Sequence, residues 1–309
     1  MFRNICYIFI FYLLTTLSSH SNTNIYIYAT VNDKIITNFD IEKEINYLKI
    51  LNPQLLSLDD KKIFELSKNS LINELIKESE IEKYLDVQKQ NPLVDEYVKN
   101  LYTELGFDSE INFELSLSNK KDYSLKEIKE KLKIEILWNE LVYLKYNNQV
   151  KIDKNSLLKK IKNLENKEIN EYFLSEIVFE KNKDETLEKT VKKIQSSISE
   201  IGFKNTANIY SISDSGKSGG NIGWISEHNL TDKIFLSLKK IKEGEYTDVI
   251  QIGNNFLILK IEEKKTKKVE KDKKLILNQM MEFEKNKQLN QFSQIYFNKI
   301  KVNYEIDEK

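Results

Sequence analysis

Apolar and polar residues alternate through "NIYIYATVNDKII" (24–36) around Asn32-Asp33, and a period of two on either side of a turn predicts a β-hairpin. Thr37 and Asp40 have the spacing of a helix capping box, so a helix is expected from there to about Leu51, with Pro53 closing the connection. Helical periodicity predicts further helices over about 60–86, 93–105 and 124–147. In the last of these, Leu125, Ile128, Leu132, Ile136, Leu141 and Leu144 recur at helical spacing with charges between them. The first half of the chain therefore reads as mostly helical, opened by two short strands.

The texture changes after about residue 167. "EYFLSEIVFE" (171–180) is rich in aromatic and β-branched residues and reads as a strand. Helices are expected at about 184–200, 203–209 and 230–240, and two strands within 243–264 that meet at Gly253-Asn254. Between them "SGGNIGW" (218–224) crowds Gly219, Gly220 and Gly223 against Trp224, in a chain with only eight glycines. Glycines so spaced serve positive φ or a close backbone approach, and they predict a sharp turn. Residues 167–266 thus form a β-α-α-α-β-β unit. A long amphipathic helix (267–300) and a last strand, "KVNYEI" (301–306), follow. That strand needs a partner and the hairpin is the available one, so the chain ends should meet. The expected class is α+β, with a helical domain over 22–166 completed by 267–309.

Charge narrows the function classes. The 309 residues carry 48 Lys+Arg against 48 Asp+Glu, a formal net charge of zero, which favours neither nucleic acid nor an anionic membrane as partner. Arg3 is the only arginine, and the lysine runs read as solvated faces. At the N-terminus a single positive charge precedes the apolar run "ICYIFIFYLLTTL" (5–17) and the small residues "SSHS", the layout of a secretory signal. Ser19 and Ser21 suit its cleavage site, giving a signal peptide over 1–21 and an exported product. That product lacks cysteine, Cys6 being removed, and keeps one histidine, His228, expected in an exposed loop. No soft-ligand metal site, nucleotide-binding fingerprint or nucleophile elbow is present, so neither a metal nor any other cofactor is expected.

Several stretches together resemble the SurA-like chaperones, which carry parvulin-type prolyl isomerase domains. "ATVNDKIITNFDIEKEI" is similar to the opening of their N-terminal domain, and "LSEIVF" (174–179) to the first parvulin strand. "SGGNIGWI" resembles the family's Gly-Gly-x-x-Gly-Trp turn, "IKEGEYTDVIQI" (241–252) the approach to its penultimate strand, and "GNNFLILKIEE" (253–263) its closing strand. The resemblance implies that Gly219, Gly220, Gly223 and Trp224 shape the turn beside a substrate groove. It also implies that Ile222, Leu230 and Phe235 line the wall that receives a proline ring, although core packing explains each of these side chains as well.

At the family's catalytic positions the match fails. Active parvulins carry one histidine on the first strand and one on the last; here those positions hold Glu176 and Leu257. The family's Asp or Cys falls on Ser213, or on Asp214 with a one-residue slip. Leucine neither donates nor accepts a hydrogen bond, while a glutamate is ionised if solvated and protonated if buried. The implied function is a periplasmic, ATP-independent chaperone for unfolded or nascent outer-membrane proteins and extended peptides, in contact with the outer-membrane assembly machinery. Its parvulin-like domain is then degenerate in catalysis. The alternative is an active prolyl isomerase in which Glu176 supplies a different polar group. The chaperone reading expects an open apolar crevice between the two domains, and the catalytic comparison expects residues 176 and 257 to face each other across neighbouring central strands.

Overall fold

The computed structural model describes residues 24–120, 123–162, 168–181, 185–268 and 273–309. The expected signal peptide, with Cys6, lies outside these residues. The hairpin forms from β1 (Ile27–Val31) and β2 (Lys34–Thr37). Its turn is made by Asn32 at φ 52°, a left-handed conformation that asparagine tolerates. Thr37 and Asp40 make the capping box that starts α1 (Asn38–Leu51). Then come α2 (Asp60–Ile81), α3 (Leu93–Glu104), α4 (Glu110–Lys120), α5 (Leu125–Tyr146) and α6 (Lys154–Lys162). A second capping box, Ser124 with Glu127, starts α5. Neither α4 nor α6 is expected from the sequence, and α2 stops at Ile81 rather than near 86.

The remaining elements are β3 (Glu168–Phe179), α7 (Leu187–Ile201), α8 (Phe203–Tyr210), β4 (Asn221–Ser226), α9 (Asp232–Leu238), β5 (Ile250–Ile252), β6 (Asn255–Lys268), α10 (Lys273–Lys301) and β7 (Ile306–Glu308). The α+β class read from the sequence is the class observed. Four details differ. The glycine stretch opens a strand of its own, β4, at the edge of its sheet. Residues 243–249 are not a regular strand. β6 runs through residue 268, past the boundary expected at 266. The last strand begins at Ile306, because α10 continues to Lys301 and consumes part of the stretch expected to be extended.

Among the described residues two sheets form, in the orders β2-β1-β7 and β4-β3-β6-β5. In the first, β7 pairs antiparallel with β1, Val31 opposite Ile306, so the two ends of the chain share one sheet. One core packs this sheet with α1, α2, α5 and α10 through Ala29, Ile41, Ile76, Trp138, Tyr296 and Ile300. Trp138 stacks on Tyr296 at 5.6 Å and donates its indole N–H to Ser293 Oγ at 2.8 Å, which satisfies the one polar atom that a buried tryptophan brings.

In the second sheet β3 and β6 are central and covered on both faces. Tyr172, Leu174, Val178, Leu257, Leu259 and Ile261 pack toward α9. Ile177, Phe179 and Ile258 pack toward α7 and α8. The two halves of the molecule are joined by buried amides as well as by apolar contact. Asn52, just after α1, donates from Nδ2 to Asn208 Oδ1 at 2.6 Å, and Asn208 donates from Nδ2 to the carbonyls of Gly216 and Lys217 at 2.8 Å each. All three side-chain bonds are directional and cost free energy when left unmade. They hold α8 and the turn after it in one place against α1.

Candidate functional site

Antiparallel pairing places directly opposed residues on the same face, and residues two apart share that face. Glu176 of β3 stands opposite Leu259 of β6, and Leu257 stands opposite Val178. Residues 176 and 257 therefore lie on one face of the two central strands as diagonal neighbours, one step short of directly facing. Leu174 and Val178 flank Glu176 on β3, and both belong to the apolar cluster beneath α9. A single carboxyl group is thus set into an otherwise apolar bed.

The residues expected to line a proline-binding wall are distributed unevenly. Leu230 is 9% exposed and is part of that core cluster, whereas Ile222 and Phe235 are half-buried against it. Leu230 accordingly packs as core, and the two half-buried side chains present a partly open edge. Trp224 is 39% exposed and sits 5.5 Å from Phe173, with the Lys265 ammonium 3.7 Å above its ring. His228 is not the exposed loop residue the sequence suggested. It sits half-buried in a 3-10 turn, Glu227–Asn229, with Nδ1 2.8 Å from Ser226 Oγ. Burial, with Lys267 nearby, lowers its pKa. It lies two residues from the end of β4 and is not joined to Glu176.

The glycines hold the backbone close to the carboxyl. Gly220 has φ +81°, its carbonyl accepts from Glu176 N–H at 2.7 Å, and a Cβ added to it would stand 2.2 Å from the Glu176 carbonyl oxygen. Only a residue without a side chain brings the turn this near β3. Gly219 ends the preceding 3-10 turn, Asp214–Ser218, in the left-handed region. These residues shape the site and carry no chemistry.

Of the two candidate positions before the turn, the structure separates one from the other. Asp214 points away, its Oδ1 2.9 Å from Lys77 Nζ of α2. Ser213 points inward and belongs to a chain of hydroxyls that the sequence reading missed. Val178 N–H donates to Ser211 Oγ at 3.1 Å, Ser211 Oγ lies 2.9 Å from Ser213 Oγ, and Ser213 Oγ lies 2.6 Å from Ser215 Oγ. Ser215 Oγ donates to Glu176 Oε1 at 2.9 Å. Because the Ser215 proton is committed to Glu176, each earlier hydroxyl must donate forward, and the chain has one polarity ending on Oε1. Burial raises the Glu176 pKa, and the hydroxyls of Ser215 and Ser213 offset this only in part. The three serines at 211, 213 and 215 were the available signal: Ser211 and Ser213 stand two apart on extended backbone, and Ser215 joins them from the start of the 3-10 turn.

Two recesses lie outside this face. A cavity of about 720 Å³ opens between α2, the α8 end with its following turn, and α10, lined among others by Leu66, Asn73, Ser211, Ile212, Phe297 and Lys301. It is the crevice expected between the two halves, but amides, hydroxyls and lysines share its wall with apolar groups. A second, of about 470 Å³, is walled by Ile50, Leu56, Leu105, Phe107, Phe113 and Tyr123 of the helical part. Beside the larger cavity, Glu135 of α5 pairs with Lys217 and stands 3.8 Å from Lys77. Burial alone would raise its pKa, but Lys217 and Lys77 bring it down to about 2.

A β3–β6 core with a glycine-tight turn, apolar bed and polar end group defines a prolyl-isomerase-type domain carried beside a helical one. Residues 169–263 match the rotamase family, the PPIC-type PPIASE domain, and this stretch of the chain belongs to it. No curated protein sequence matches the chain. Similar solved structures include that of the two SurA-like chaperones PEB4 and Cj1289 of Campylobacter jejuni, at 17% identity over 92% of this chain and 98% of that one, TM-score 0.36. Another is the peptidylprolyl isomerase PrsA of Bacillus anthracis, at 18% identity over 77% and 98%, TM-score 0.31. PrsA of Bacillus subtilis is 20% identical over 74% and 82%, TM-score 0.29. No helix among the described residues is long and apolar enough to cross a membrane.

Proposed function

We propose that the chain is an exported, ATP-independent chaperone for unfolded protein segments, in which the PPIC-type domain has lost the family's histidine chemistry. The domains are then 22–166 completed by 267–309, and 167–266, following cleavage of a signal peptide over 1–21. The observation that carries the reading is the cavity of about 720 Å³ between them, a size within the roughly 300–1,000 Å³ of binding sites. Its mixed wall suits an extended chain, whose backbone needs hydrogen-bonding partners while its side chains need apolar ones. The apolar recess around Phe107 and Phe113 supports the same reading, since a holding protein needs adaptable, shallow contact rather than one sharp pocket. Leu257, at a position where the family uses imidazole, supports the loss of that chemistry.

The clients implied are outer-membrane proteins in the periplasm, delivered toward their assembly machinery. Such chains expose apolar side chains and strand edges that aggregate in water. The test is aggregation of a urea-unfolded outer-membrane β-barrel protein after dilution, followed by light scattering with and without the chain. Equimolar chain is expected to suppress the scattering, and Phe107→Asp to weaken that suppression. Scattering indifferent to the chain overturns the reading.

A further inference from the structure

The hydroxyl chain starts at Ser211 on the wall of the larger cavity and ends on Glu176; the inference drawn from it goes beyond the reading just given without depending on it. We propose that Glu176, oriented by Ser211, Ser213 and Ser215, is the catalytic residue of a prolyl isomerase site of a different kind, one that works through a protonated carboxyl.

Oε1 accepts from Ser215, which leaves Oε2 as the oxygen that carries the acid proton in the proposed site. Rotation about an X-Pro amide faces a barrier of roughly 20 kcal/mol because the planar form delocalises the nitrogen lone pair. In the twisted form that lone pair is localised and accepts a hydrogen bond, which the planar form cannot do. A donor placed at the nitrogen therefore binds the transition state better than the ground state, and this difference is catalysis. No covalent bond is made or broken; the carboxyl keeps its proton throughout. A carboxylate, with no proton, offers nothing to the nitrogen.

The surroundings favour the acid form by geometry alone. Across β6 stand Leu257 and Leu259, and along β3 stand Leu174 and Val178. No charged group on the adjoining described elements pairs with Glu176, and several are engaged elsewhere. Asp214 pairs with Lys77 and Lys217 with Glu135. Lys260 and Glu262 pair with each other, Glu262 accepting also from Ser175 on the opposite face of the sheet. On α9, Lys233 donates to the Gln251 carbonyl and Lys239 lies over the Phe235 ring. Just before β4, the Gly220 carbonyl accepts from the Glu176 main-chain N–H. The raised pKa of Glu176 agrees with this isolation.

The test is exchange NMR on a Phe-Pro tetrapeptide with the intact chain, from pH 5 to 9. The chain is expected to accelerate cis/trans exchange at low pH, with the acceleration falling about tenfold per pH unit above the Glu176 pKa, the limiting slope of one titrating group. Glu176→Leu, which suits its apolar neighbours, is expected to abolish catalysis at every pH while circular dichroism stays unchanged. Glu176→Gln keeps an N–H donor and is expected to lose the pH slope. Ser215→Ala removes a bond that favours the carboxylate, so the half-activity pH should move upward. Exchange no faster than that of the free peptide at pH 5, or a pH slope that survives Glu176→Leu, overturns the proposal. Client aggregation is read separately, so failure here leaves the chaperone reading standing.

Discussion

Gly220→Ala is the sharpest probe of how the turn is built. Three costs can be read from the structure. A side chain at φ +81° costs about 1–2 kcal/mol of backbone strain. The added Cβ would stand 2.2 Å from the Glu176 carbonyl oxygen, and since that atom is backbone the strand must shift, an overpacking cost of about 1–3 kcal/mol. The shift also breaks the 2.7 Å bond from Glu176 N–H to the Gly220 carbonyl, a net loss of about 1 kcal/mol. The total is about 3–6 kcal/mol. Gly223→Ala supplies the control: φ is +74° but nothing lies within 4 Å of the added Cβ, so only the first cost applies, about 1–2 kcal/mol. Native-state hydrogen exchange of β3 and β4 amides measures both opening free energies in the same domain. If Gly220→Ala costs no more than Gly223→Ala, the close approach is not what that glycine serves.

Three further outcomes follow from the charges and the missing imidazoles. Glu176→Gln should raise the urea midpoint at pH 8 and leave it nearly unchanged at pH 4. A carboxyl whose folded pKa is raised costs nothing below its unfolded value of about 4.3 and increasingly destabilises the fold as pH rises toward the folded one; equal midpoint shifts at both pH values refute this. Glu135→Gln leaves the ammonium groups of Lys77 and Lys217 without their shared carboxylate and should cost about 2–3 kcal/mol, less than for a fully buried pair because Glu135 keeps 26% exposure. Since its pKa is held at about 2, that stabilisation should be complete above about 4.3 and fade as acid approaches the lower value, which acid titration of wild type against variant checks. Finally, Glu176→His with Leu257→His places two imidazoles on diagonal positions of one face, within reach of each other; proline-peptide exchange at pH 7.5 should increase at least tenfold over wild type, and no gain contradicts the assignment of these positions.

The fold was legible wherever one period dominated. Thr37 with Asp40, the hairpin around Asn32, and the leucines and isoleucines of α5 each point to a single element, and the structure has those elements. α4 was not legible because its apolar residues, Ile111, Phe113, Leu115 and Leu117, alternate as in a strand. In the structure Phe113 and Leu117, four apart, are buried, while Ile111 is 70% and Leu115 57% exposed. The period of two there is an accident of two unburied side chains. α6 is a different case: nine residues with Leu157 and Ile161 as its only buried positions, helical because α10 offers Ile276, Leu277 and Met280 to cover them. Tertiary cover of that kind decides short helices, and it leaves little trace in local sequence.

The site divides along the same line. Glu176 and Leu257 were placed on neighbouring strands by the resemblance to the family's catalytic positions, and the glycines could be assigned to a close approach from their number alone. What could not be read was which of Ser213 and Asp214 turns inward. That choice is made from outside the domain: Lys77 of α2 captures Asp214 at 2.9 Å, and with the carboxylate drawn out, the alternate serines face β3. A helix of the other domain thereby decides that the polar chain behind Glu176 is made of neutral hydroxyls. Were Asp214 turned in instead, two carboxyl groups would share the apolar bed and one would hold the other's proton. The packing of the two halves and the protonation of the site are therefore a single arrangement, and Lys77 is the residue through which a change in one would reach the other.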